Sequence, residues 1–131
     1  MIYEIIVFDS DQMKPIAGYA PDKELKMEEI TQRTGLVSLI NLALNQLANN
    51  NLADMGNVVD LKTDNYIFSF KVAGKFIISI KGTHENENRK VISRLVSDIK
   101  DLKNTDEIKR KLEDSVKKNV TVADEFRGLW G

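Results

Sequence analysis

The sequence predicts an α+β domain: five strands in one mostly antiparallel sheet with flanking helices, in the order β-β-α-β-β-β-α-α. Three observations carry that expectation. Residues 66–81 alternate apolar and polar side chains on either side of a glycine, as a hairpin does. Two short Ile/Val-rich or apolar runs, separated by a polar interval, open the chain. Three other segments repeat apolar residues at spacings of three and four, the period of an amphipathic helix.

Taken in order, Tyr3 to Phe8 reads as a strand stopped by Asp9, Ser10 and Asp11, and Pro15 to Tyr19 returns beside it. Pro15 suits a strand start or an edge, where a missing N–H costs nothing. Residues 20–33 are mostly polar, with Met27 and Ile30 spaced for one or two helical turns. The clearest helix is expected to open at Thr34-Gly35, with Thr34 as its N-cap, and to end at Asn49-Asn50-Asn51. Val37, Ile40, Leu44 and Leu47 form one stripe of it, and Leu36, Leu39 and Ala43 form a second beside the first. Val58 to Lys62 is a further strand. Tyr66, Phe68, Phe70 and Val72 then share one strand face, against Ser69 and Lys71 on the other. Ala73-Gly74 is the tight connection to a strand with Phe76, Ile78 and Ile80 inward and Ser79 and Lys81 opposite. Val91, Leu95, Ile99 and Leu102 mark the next helix. Ile108, Leu112 and Val116 mark the last, after an acid-first start at Thr105-Asp106-Glu107. The expected core is Phe68, Phe70, Phe76, Ile78, Val37, Ile40, Leu44, Leu95 and Ile99.

Composition narrows the function classes. The chain has 131 residues, one domain's worth, and we expect the domain over 1–119 with a tail over 120–131. Nineteen Lys and Arg against twenty acids leave a net charge of −1, so no bulk attraction to nucleic acid or to anionic membrane is expected. Cysteine is absent, which removes disulfides, thiolate metal sites and thiol catalysis. No segment reads as a signal peptide, and none approaches the roughly 20 apolar residues that span a bilayer, so the expected location is the cytoplasm.

Catalysis needs positioned groups of suitable pKa, and few are on offer. His84 is the only histidine, with Glu85 and Glu87 its nearest acidic neighbours, and a solvated turn explains all three. Glycines at 35 and 56 are isolated and make no phosphate loop. Asp9 and Asp11 bracket a turn without the further ligands that a cation needs. The aromatics Tyr66, Phe68, Phe70 and Phe76 read as core rather than as a base-stacking platform, because Lys71, Lys75 and Lys81 are expected on the other face or at the hairpin tip. We therefore expect no catalytic residues, no metal and no cofactor.

Thr34-Gly35-Leu36-Val37-Ser38-Leu39-Ile40-Asn41 resembles the opening of the main helix in archaeal longin-like and roadblock-like proteins. The stretch Tyr66 to Lys71 followed by Gly74 to Gly82 resembles their last two strands, and Tyr3 to Phe8 with Ile16 to Tyr19 is similar to the first hairpin of longins. The likeness spans roughly residues 2 to 103 in the same element order. A start on a strand and a further helix from Asp106 favour longin over roadblock. The resemblance implies a non-catalytic platform for a small Ras-like GTPase or for a related longin or roadblock subunit, in trafficking or signalling complexes. It also implies homodimers, and peripheral attachment to membranes through partners.

The doubly apolar helix at 34–49 is an independent echo of that reading and makes Leu36, Leu39 and Ala43 candidate interface residues. Phe126 and Trp130, four residues apart at the chain's end, are two more, although Gly128 weakens a regular helix there. They either fold back on the domain or dock on a partner. The alternative function is a profilin- or PAS-like small-ligand sensor, which would hold its ligand in a pocket lined by Phe68, Phe70 and Ile78.

Overall fold

Local turn chemistry fixes two hairpins. In the first, Asp9 Oδ1 accepts the N–H groups of Asp11 and Gln12, both at 2.9 Å, and Asp9 N–H reaches Lys14 O at 2.7 Å. Asp9 is thus a turn-former. In the second, Gly74 stands at φ 60°, the positive value required at the first central position of a II′ turn. The two-residue connection is Gly74-Lys75, one residue later than the spacing suggested, since Ala73 pairs with Phe76.

The structure, a computed structural model, describes the backbone of residues 1–48 and 58–130. It describes their side chains except Leu44, Leu47, Ala48 and residues 118–130. The elements are β1 (Ile2–Asp9), β2 (Pro15–Tyr19), α1 (Met27–Ala48), β3 (Val59–Lys62), β4 (Ile67–Ala73), β5 (Phe76–Gly82), α2 (Glu85–Ile99) and α3 (Thr105–Trp130). This is the expected α+β order. The sheet runs β2-β1-β5-β4-β3 and is antiparallel at every pair. Between Val7 and Phe8 the register shifts, so Ile16 is an extra residue on β2 and bulges the edge strand.

Helices cover both faces of this sheet. Ile5 and Val7 of β1 and Phe76, Ile78 and Ile80 of β5 pack with Val91, Leu95 and Ile99 of α2 and Ile108, Leu112 and Val116 of α3. On the opposite face Ile6, Phe8, Phe68, Phe70 and Ile77 pack with Val37 of α1, and Ile40 lies half-buried against them. The expected core residues whose side chains are described are buried, apart from half-buried Ile40, but in two separate layers. Leu44 lies outside the described side chains. Ser69 and Ser79, each expected on the polar side of its strand, are both buried, because Ser69 faces α2 and Ser79, paired with Phe70, faces α1. A two-sided sheet tolerates small hydroxyls that find partners inside.

All three helices differ from expectation at a boundary. α2 runs from Glu85 to Ile99, so Glu85 and Glu87, expected in a turn, are in its first turn, and Leu102, expected on its apolar stripe, lies beyond its end. α1 begins at Met27, about two turns before Thr34. Thr34 is no N-cap: its hydroxyl donates to Ile30 O at 2.9 Å, the back-bond of a helix-interior threonine. The expected stop at Asn49-Asn50-Asn51 lies outside the described residues. At the other end, the segment set apart as a tail is helical as far as Trp130 and continuous with α3, Gly128 included. Asn104 caps that helix, its Oδ1 accepting Asp106 N–H at 2.9 Å and Glu107 N–H at 3.3 Å.

Candidate interaction surface

The outer face of α1 is built from residues that ordinary folding gives no reason to leave in water. Leu39 is 64% exposed and Leu42 50%. With Gly35 and Gln46 they recur at four, three and four residues, the seam spacing of one helix packing on another. Ala43 and Ser38 flank the seam and are exposed. From Thr34 to Ala48 the helix contains no charged residue. Soluble helices normally present charge on the face away from the core, so a neutral apolar face is informative.

The candidate residues divide three ways. Leu39 and Ala43 belong to the exposed face. Leu36 turns inward and packs, half-buried, on the sheet beside Phe68 and Phe70. Phe126 and Trp130 lie on the α3 backbone, and their side chains are outside the described residues. Leu42 is an interface-grade residue that the two-stripe reading passed over; its four-three spacing with Gly35 and Leu39 was the available signal.

Beneath this face a buried ion pair ties α1 to the sheet. Glu4 of β1 is 3% exposed and accepts the guanidinium of Arg33, which also sits 5.0 Å above the Phe68 ring. Beside it Lys81 Nζ lies 4.2 Å from the Tyr66 ring centroid, and Tyr3 meets Tyr66 edge-on at 5.4 Å. Lys81 thus shares the face of Tyr66 and Phe68, contrary to the expectation, because β5 pairs Lys81 with Phe68. Its Nζ engages Tyr66, while Phe68 is 8% exposed.

A second polar assembly lies where α2 meets β3 and β4. Asn88, fully buried, donates from Nδ2 to Ile67 O and to Ser69 Oγ, both at 3.1 Å. Ser69 in turn donates to Asp60 at 2.6 Å, and Arg89 reaches the other Asp60 oxygen at 2.6 Å. Burial pushes the Asp60 carboxyl up, but the Ser69 hydroxyl and the Arg89 guanidinium outweigh it and hold Asp60 below the usual range. Glu85 completes the chain with Arg89 and Lys62, both at 3.1 Å. The polar residues around His84 are in structural use. Glu85 is paired as above, Glu87 takes the Met1 amino group at 2.8 Å, and His84 Nδ1 lies 2.9 Å from Thr83 Oγ1.

The three residues proposed to line a ligand pocket do not meet. Phe70 pairs with Ser79 and Lys71 with Ile78, so Ile78 faces α2 and α3 while Phe68 and Phe70 face α1. No described helix is long and apolar enough to cross a membrane. Compared with protein-family models and with curated proteins, the chain has no match.

Proposed function

We propose that this chain is a non-catalytic protein-interaction module of longin type, working in the cytoplasm and docking its partner through the outer face of α1. The partner is a like longin or roadblock subunit, including a second copy, or a small Ras-like GTPase, in a trafficking or signalling complex. One observation carries the reading: Leu39 and Leu42 stand in solvent on a helix that has no charge between Thr34 and Ala48. Such a face gains from association and has nothing to repel another copy of itself. The longin resemblance supports the choice of partner class.

Sedimentation of the wild type and of Leu39→Asp over a rising concentration series tests it. The wild type is expected to self-associate, or to form a complex with a GTPase supplied in trans, and the variant to remain a folded monomer in both. A variant that associates as the wild type does would remove α1 as the contact.

A further inference from the structure

At one edge of the sheet, β2 has no strand on its outer side among the described residues. The direction of its free backbone groups follows from the turn. Asp9 N–H is donated to Lys14 O, toward β2, whereas Ser10 N–H is donated to Lys75 O, toward β5. Odd-numbered residues of β1 therefore turn their backbone groups to β2. Their partners Ala17 (to Val7) and Tyr19 (to Ile5) are engaged, and Gly18, opposite Ile6, is left with its N–H and C=O facing outward. β2 carries no charged side chain to blunt this edge, and its proline and bulge, Pro15 and Ile16, lie at its turn end, short of Gly18.

The free pair opens into a cleft of about 440 Å³. One wall is mostly apolar: Leu25 just before α1, and Met27 and Ile30 in its first turn, with Glu24 beside Leu25. Met27 is 74% exposed. The other wall is polar: Thr105, Asp106 and Lys109, in the first turns of α3, all exposed. Gly18 itself helps to shape the cleft, since a Cβ there would stand 2.8 Å from Leu25 Cδ1 and push that side chain aside.

We infer that β2 receives an extended peptide segment of a partner as a sixth strand, with alternating apolar and polar side chains. The occupant follows from the groups it must satisfy. An outward N–H and C=O on a bare strand edge are matched by the backbone of another strand. A strand sends successive side chains to opposite faces, so one set meets the Leu25, Met27 and Ile30 wall and the other meets Thr105, Asp106 and Lys109. Walls on both sides of the edge suit a single strand better than a second whole sheet. This surface is separate from the α1 face, and the two stand or fall independently.

The test screens a displayed library of random peptides of roughly seven residues, a strand's length, and follows the winners by heteronuclear NMR on the labelled full chain. Enriched sequences are expected to alternate apolar and polar residues, to shift the amides of 16–19, and to slow hydrogen exchange at Gly18 N–H. Met27→Asp, at an exposed position, weakens binding by about tenfold or more, and methylating the central backbone nitrogen of the peptide abolishes it. A library with no enrichment, or peptides whose shifts fall away from β2, overturns the inference. So does Gly18 protection that rises with protein concentration without peptide, which assigns the edge to a second copy.

Discussion

The sheet has two covered faces, and they are covered in different ways. On one, α2 buries Asn88, Val91, Ile92, Leu95 and Ile99, and α3 adds Ile108, Leu112 and Val116. On the other, Val37 is the one fully buried residue among the described side chains of α1; Ile30, Leu36 and Ile40 are half-buried, and an ion pair from Arg33 to Glu4 does part of the holding. The first face follows the rule of an amphipathic helix on a sheet. The second has a helix that is apolar toward solvent as well as toward the sheet. The difference teaches where to look for function: the α2/α3 layer is accounted for by folding alone, and the outer side of α1 is not.

The deepest side chains should hurt most, and Phe70 lies at the bottom of the α1 face with no exposure. Phe70→Ala is expected to cost about 3–5 kcal/mol by chemical denaturation. Retained stability within about 1 kcal/mol would mean that this face is not packed as described. Arg33→Met removes the partner of a buried carboxylate and should cost about 3–5 kcal/mol, whereas the double change Glu4→Leu with Arg33→Met should recover most of that loss. A single variant as stable as the wild type would show that the ion pair does not hold α1.

Asp60 sharpens the comparison from the α2 side. Its carboxyl is held below its ordinary pKa, so it contributes stability that is present above the unfolded-state value and lost as pH falls through the lower folded-state value. The wild type is thus expected to lose stability on acidification below about pH 4. Asp60→Asn should be less stable at neutral pH and show a shallower acid slope. Equal slopes would detach Asp60 from the network. The smallest effect is expected outside: at concentrations where both proteins are monomeric, Leu39→Asp should change unfolding free energy by no more than about 0.5 kcal/mol, even though it disables the proposed docking face.

These contrasts also mark what the chain's sequence discloses. The alternation of Phe68, Phe70 and Val72 and of Phe76, Ile78 and Ile80 reveals both strands of the second hairpin, because the period of a strand is written in local order. That these two sets face opposite layers depends on the pairing of Phe70 with Ser79, a register set by the II′ turn at Gly74-Lys75 one residue beyond the expected connection. Asn88 reads as a turn residue until β4 supplies Ile67 O and Ser69 Oγ twenty positions or so away. Glu4 and Arg33 look like ordinary surface charges, since twenty-nine residues separate them and only the fold brings them together. Thr34-Gly35 imitates a cap and hid the start of α1, although the helical turns expected at Met27 and Ile30 run on into it without a break. Of the interaction face, Leu39 and Ala43 were legible as a surplus apolar stripe; Leu36 was not separable from them because helical spacing alone does not say where the sheet lies.

The central claim is that α1 is held less firmly than the α2/α3 layer and shows a docking face in place of a finished surface. Native-state hydrogen exchange of the isolated monomer tests it most directly. Amides of 34–46 are expected to open at a lower free energy than those of β5 and of 91–99 in α2, which should exchange only through global unfolding. Equal protection across α1, α2 and β5 would contradict the account and make α1 as much a part of the rigid core as the helices opposite.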